Sequence, residues 1–249
     1  MELDVAFFAV AAPAVLFAGV SKGGFGSGVS FAAAPFLALI LDPAQALGLL
    51  LPLLMLMDFA ALPPFWRQWH APSVRVLLVG AVPGVTLGVV LWRLANPDVL
   101  RLLIGLVALG FVALQAARRL GILRLARPMS GRGGLLIGCI AGFTGFVSHA
   151  GGPLAAVYLL SQRLDKTAYQ ATTVLVFLVI NLMKFPPYAL LGIFTPRSLT
   201  ATLILAPVAI AGVGLGVWMH RRMSGRAFFA LTYVFLTFAG VKLIFDAIG

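Results

Sequence analysis

The sequence predicts an all-α polytopic membrane protein built as two inverted repeats, each a broken or re-entrant helical hairpin followed by three transmembrane helices. Three observations carry this. Of 249 residues, 61% are hydrophobic and only 10% charged, whereas soluble chains carry about a quarter charged residues. The charges fall in gaps between apolar runs of roughly 15–22 residues, and about 20 such residues cross a hydrocarbon core ~30 Å thick. No run alternates with the period of two that a barrel strand requires, so the runs are helices. This composition excludes a water-soluble enzyme and a disordered chain.

In chain order the apolar segments are 5–20, 29–41, 45–62, 74–92 and 99–117, then 134–148, 153–162, 168–185, 199–219 and 227–247. The first follows Met1-Glu2-Leu3-Asp4, which lacks the basic region and small-residue cleavage site of a signal peptide and reads as a mature start. The stretch 118–133 is the most polar and basic in the chain and divides it into repeats 1–125 and 126–249. An offset of 123 carries Ala18-Gly19 onto Ala141-Gly142, Ser21 onto Thr144, Asp58 onto Asn181 and Pro63-Pro64 onto Pro186-Pro187. At a slightly longer offset, Gly84-Val85-Thr86-Leu87-Gly88 matches Gly212-Val213-Gly214-Leu215-Gly216. A shared offset that also matches polar residues points to internal duplication.

The net charge of +11 invites a nucleic-acid reading, but the placement of the charges opposes it. Arginines cluster in short connections, at Arg118, Arg119, Arg124, Arg127 and Arg132 and at Arg221, Arg222 and Arg226, as cytoplasmic loops do. If all ten segments alternate direction, thirteen basic residues share one side and five the other. If 5–41 and 134–162 were each one broken span, the split would be nearly even. The positive-inside rule therefore favours a cytoplasmic central loop with both termini outside, and an odd number of crossings per half makes the repeats inverted. The single cysteine, Cys139, excludes an intramolecular disulfide, a CxxC pair and a cysteine metal site.

The first two segments of each half look too short to cross. Sixteen residues reach ~24 Å and thirteen ~20 Å against the ~30 Å required. Between them lie Ser21-Lys22-Gly23-Gly24-Phe25-Gly26-Ser27-Gly28 and Thr144-Gly145-Phe146-Val147-Ser148-His149-Ala150-Gly151-Gly152. Paired glycine-interrupted segments at matching positions point to a transporter's binding site, since irregular backbone at membrane depth must line protein or a cavity. The alternative is that these glycines only allow close helix packing. The second arm of each hairpin would start at the tip and aim its N-terminal N–H groups inward, with Ser27 or Ser30 as one cap, Ser148 near the other and Pro153 in the first turn. With Lys22 alongside, this is an anion site. The site residues predicted are Ser21, Lys22, Gly23, Gly24, Ser27, Thr144, Ser148, His149 and Gly151.

Asp58 lies inside an apolar run, where a carboxylate is costly and usually functional. It is a candidate to pair with Lys22 or Lys184 or to take up a proton, with helix-end capping as the alternative. Its counterpart Asn181 is a second coupling candidate. His149 reads either as a ligand contact or as a proton-sensitive group. Lys184 and Lys242 read as snorkelling near segment ends, His70 and His220 as solvated loop residues, and Trp66, Trp69, Trp92 and Trp218 as interfacial anchors.

Gly19-Val20-Ser21-Lys22-Gly23-Gly24-Phe25-Gly26, then Pro35 and the Pro-Pro after Asp58, with the degenerate copy Gly142-Phe143-Thr144-Gly145 … Gly151-Gly152-Pro153, resembles the sulfite exporter TauE/SafE family of membrane permeases. The resemblance covers nearly the whole chain. It implies bacterial inner-membrane transport of a small sulfur-containing anion such as sulfite, thiosulfate or an organosulfonate, without cofactors.

The expectation is therefore a secondary transporter, not an enzyme, moving its anion by alternating access, with Asp58 and Asn181 as candidates for coupling to protons; export can run as a uniport, whereas uptake needs coupling. Its partners are the anion and the lipid bilayer, with no metal and no nucleic acid. An inside-negative potential favours outward movement of an anion by ~2.3 kcal/mol per charge per 100 mV. A passive anion channel is the alternative. An integral-membrane enzyme is weaker still, because seven acidic residues and three histidines form neither an HExxH nor a paired-carboxylate arrangement. Substituting Lys22 is expected to abolish anion binding and leave folding intact.

Overall fold

The computed structural model describes residues 2–25, 30–121, 128–222 and 226–248, and every regular element among these is helical. Helix α1 (Val5–Val20) is capped by Asp4, whose side chain accepts from the Phe7 N–H at 2.7 Å. It continues into a π-helical turn over Ser21–Phe25. A 3-10 turn (Ser30–Ala32) leads into the short α2 (Ala33–Ala38). Then come α3 (Pro43–Ala61), α4 (Ala71–Leu94) and α5 (Pro97–Arg119). The second half repeats the order with α6 (Gly131–Ser148), α7 (Gly152–Ser161), α8 (Lys166–Leu190), α9 (Pro196–Arg222) and α10 (Arg226–Ile248).

Seven helices among the described residues are long and apolar enough to cross a membrane, including Val5–Phe25 and Gly131–Ser148. This corrects the expectation that both arms of each hairpin are short. The π turn carries α1 on through the first glycine pair. In the second half Ser130 accepts from the Gly133 N–H at 3.3 Å and starts α6 before the expected boundary. Only the return arms, α2 and α7, are short. The predicted caps are also absent from them: the N-cap residues are Ala32 and Gly151, neither with a side-chain bond. Ser27, Arg124, Arg127 and the boundary at 125/126 lie outside the described residues.

Prolines occur inside helices, notably Pro186 and Pro187 in α8. Membrane helices tolerate the lost N–H when neighbours satisfy the freed carbonyl. Helix α8 therefore runs past the proline pair to Leu190, and Lys184 does not stand at a helix end.

Helix α1 packs on α9, and α6 packs on α4. Both interfaces bring backbones into direct touch. A Cβ on Gly19 would lie 2.7 Å from the Ala209 carbonyl oxygen, and one on Gly142 2.5 Å from that of Ala81. A Cβ on Gly212 would lie 2.7 Å from the Leu16 carbonyl, and one on Gly84 1.9 Å from that of Cys139. Positions 16 and 139, like 19 and 142, are 123 apart, while 81 and 209, like 84 and 212, are 128 apart. The same contact thus occurs twice with the halves exchanged. Small residues permit this approach, and dispersion between the backbones holds it.

The helix ends gather on two faces. On one, Lys166 donates to the His220 carbonyl, His220 Nδ1 donates to the Gly24 carbonyl at 2.6 Å, and the Met129 N–H donates to Ser161 Oγ at 3.1 Å. His220 is thus held in the last turns of α9, not free in a loop. On the other face, Arg101 meets Asp42 at 3.0 Å and Asp98 at 2.8 Å beside a cavity of about 490 Å³ that also touches Asp246. Helix α1 with its π turn therefore ends on the face where α6 begins. Met129 against Ser161, and Gly134 under the Tyr158 ring, make α6 and α7 a hairpin that leaves on the face it enters.

Candidate functional site

The two hairpins meet in the protein interior, where Phe31 and Ala32 share one apolar cluster with Ala150. Around this meeting point the bundle buries polar side chains that a membrane protein retains only at a cost. Lys22 is 2% exposed, Asp58 0%, Asn181 3%, Lys184 1% and His149 6%.

Lys22 projects from the π turn, a distortion that often marks functional positions. Its ammonium pairs with Asp58 Oδ1 and donates to the Leu54 carbonyl at 3.3 Å. Its own carbonyl accepts from Gln170 Nε2 at 2.6 Å. The other carboxylate oxygen, Asp58 Oδ2, accepts from Asn181 Nδ2 at 2.7 Å. Removing Lys22 would strand this carboxylate in the interior, so the expectation that its loss would leave folding intact gives way.

One turn beyond Asn181 stands Lys184. Its ammonium donates to the Gly145 carbonyl at 3.0 Å and to His149 Nδ1 at 2.8 Å, and it lies within electrostatic range of Lys22 and Asp58. The Leu47 carbonyl, which can only accept, is 3.2 Å from His149 Nε2. The imidazole therefore carries its proton on Nε2 and presents Nδ1 as an acceptor to Lys184. Gly145 stands 123 positions after Lys22. Where the first half places an ammonium on its hairpin, the second has a glycine there and supplies the ammonium from α8.

The backbone at the second tip is strained. His149 sits at φ 55, the left-handed region where glycine normally closes a helix. Its N–H still caps α6 by bonding the Gly145 and Thr144 carbonyls. A histidine held there gives up backbone ease so that its ring can bridge Lys184 and α3. Behind it, Tyr188 donates to the Phe146 carbonyl, and Trp92 stacks 6.3 Å from the Tyr188 ring. Trp92 thus supports the tip, whereas Trp66 and Trp218 are half exposed.

The remaining predicted residues make other contacts. Thr144 Oγ1 donates to the Ile140 carbonyl at 2.8 Å and borders a cavity of about 280 Å³ against α5. Ser148 Oγ donates to the Thr144 carbonyl at 2.9 Å. Both hydroxyl protons are thereby committed to backbone. Ser21 is fully buried in the π turn. Gly23 and Gly24 face α9, where a Cβ on either would lie 2.3 Å from a carbonyl oxygen, and a Cβ on Gly151 would lie 2.4 Å from the Ala141 carbonyl oxygen. These glycines seat the tips, while Lys22 and His149 carry the polar chemistry.

Sequence reasoning missed Gln170 and read Lys184 only as a candidate partner of Asp58 or as snorkelling near a helix end. The proline pair after Lys184 reads as a helix end, and only the length of α8 reveals that the lysine is interior. Lys242 does lie exposed, paired with Asp246 at 2.6 Å. Among the described residues no group of three histidine, cysteine or acidic side chains stands close enough to hold a metal ion.

The arrangement amounts to two buried lysine amines, one carboxyl group and an imidazole, set where two helical hairpins meet. A family model described as sulfite exporter TauE/SafE matches residues 11–243. No curated protein and no solved structure matches the chain.

Proposed function

From its membership of the sulfite exporter TauE/SafE family, a family of membrane transporters, we propose that this chain is a secondary transporter that moves a small sulfur-containing anion by alternating access. Sulfite, thiosulfate and organosulfonates are the candidate cargoes, and the bacterial inner membrane is the proposed location. The observation that carries the reading is Lys184, a lysine buried to 1% exposure whose amine, among the described residues, bonds only to neutral groups, a carbonyl and an imidazole. Water is excluded from such a position, and a charge there costs several kcal/mol unless an opposite charge arrives. An oxyanion supplies that charge and accepts hydrogen bonds from both lysines.

The exchanged contacts of α1 on α9 and α6 on α4 support two repeats, 1–125 and 126–249. That α1 ends on the face where α6 begins supports their inversion. An inverted pair gives alternating access a simple form, in which one repeat rocks against the other around a central site. The central basic loop is placed in the cytoplasm and both termini outside. Asp58 and Asn181, bonded to each other between the two lysines, are the proposed coupling pair for protons.

The test is flux in proteoliposomes. Saturable uptake of sulfite, thiosulfate or methanesulfonate that shows counterflow, and that Lys184→Gln abolishes, is the expected result. Ohmic currents with no counterflow would overturn alternating access.

A further inference from the structure

The central site has an unbalanced charge. Lys22 and Asp58 neutralise each other as a contact pair. Asn181 adds a hydrogen bond and no charge. His149 is neutral, since Nε2–H is directed at the Leu47 carbonyl and Nδ1 takes a proton bond from Lys184. Lys184 has no carboxylate within ion-pair distance among the described residues. Protonated, Lys184 therefore adds one positive charge that no carboxylate among the described residues matches, in a region where Coulomb energies are large.

We infer that the site selects its cargo by charge: it takes a monovalent oxyanion as such, and a divalent one only together with a proton. The inference rests on the transport reading and refines it. A single negative charge brings the buried centre to neutrality. A second would leave the centre net negative inside a low-dielectric bundle, so a dianion must bring a proton on itself or place one on the centre. Asp58 is the group able to receive it. The ionisable groups that face Asp58 are Lys22 from the π turn and Lys184 from α8, with Asn181 on its other oxygen and His149 beyond Lys184. Protonating Asp58 releases Lys22 to serve the anion, so the two lysines then match the two charges. The same arithmetic links proton movement to cargo charge without a separate proton path.

Methanesulfonate and sulfate serve as probes, being nearly the same tetrahedral size and differing in charge. Titration calorimetry on the purified protein at about pH 8.5, in two buffers of different ionisation enthalpy, reads affinity and proton uptake together. Methanesulfonate is expected to bind at least roughly tenfold more tightly than sulfate. Sulfate binding should take up one proton and strengthen about tenfold per pH unit on acidification. Asp58→Asn, which leaves two unmatched ammonium groups, should reverse the preference and remove the proton uptake. Asn181→Asp, which adds a carboxylate, should weaken methanesulfonate binding roughly tenfold or more and keeps the test open if the first variant fails to fold. Sulfate binding to the wild-type protein as tightly as methanesulfonate, without proton uptake, would overturn the charge rule and leave the anion site standing. Failure of methanesulfonate, sulfate and sulfite alike to bind would overturn the anion site on which the rule depends.

Discussion

Asn181 donates a 2.7 Å hydrogen bond to Asp58, the residue that stands 123 positions before it. That separation is the offset that superposes the two halves of the sequence. Two equivalent residues of a two-fold repeat can touch only next to the axis, because any displacement from it is doubled between the copies. Under the proposed repeat, this bond marks the axis, and the two lysines flank it from opposite halves. Exchanging the two residues should therefore be tolerated. Asp58→Ala removes the partner of a buried ammonium and should cost about 3–5 kcal/mol. The double variant Asp58→Asn/Asn181→Asp returns a carboxylate to the axis within reach of Lys22 and should recover at least half of that. Thermal unfolding in detergent measures both, and a double variant less stable than Asp58→Ala would refute the axis assignment.

The glycine contacts differ sharply in what they tolerate. A Cβ on Gly84 would fall 1.9 Å from the Cys139 carbonyl, whereas one on Gly110 would meet nothing within 4 Å. Gly84→Ala should separate α4 from α6 at a cost of about 1–3 kcal/mol or more. Gly110→Ala should stay within about 0.5 kcal/mol of the parent or gain slightly. Unfolding midpoints of the two variants, compared side by side, decide this.

His149 couples backbone strain to side-chain bonding. His149→Gly loses the bonds to Lys184 and Leu47 but relieves the positive φ, while His149→Ala loses the bonds and keeps the strain. The glycine variant should be the more stable of the two by about 1 kcal/mol. Both should lose anion binding together, because Lys184 is then no longer aimed. Equal stability of the two variants would show that the tip relaxes and stores no strain.

Orientation is testable without a purified protein. Alkaline phosphatase fused to the C-terminus, active only outside the cytoplasm, should be active in cells. The same enzyme inserted between Arg124 and Leu125 should be inactive. The reverse pattern would invert the proposed topology.

An exposed ion pair makes a useful contrast to the buried one. Arg101 is about a quarter exposed and bonds two acidic residues that are more than half exposed. Solvent screens such contacts, and Arg101→Ala should cost no more than about 1 kcal/mol. A loss comparable to that of Asp58→Ala would make the 490 Å³ cavity beside it a structural centre in its own right.

The apolar runs and their gaps made the helices legible, since a chain in lipid must bond its backbone within each segment and so announces itself by length and composition. The 123-residue offset made the proposed duplication legible, because matched glycines and prolines are read residue by residue. Lys22 and Asp58 stood out for the same reason, as charges inside runs that otherwise exclude them. Lys184 did not, because a following Pro186-Pro187 looks like a helix end and a lysine near an end can reach water. Only packing shows that α8 continues and that this lysine points inward at Gly145. Nor does the order of residues say that Gly23 and Gly24 press on α9, or that His149 accepts from Lys184. Those are contacts between residues 35 or more positions apart. The sequence by itself determined that the chain spans a membrane as helices and which charges are out of place there. The tertiary structure decided how those groups pair, and hence that Lys184 has no carboxylate partner among the described residues, because charge balance in a low-dielectric interior depends on distances that linear spacing does not contain.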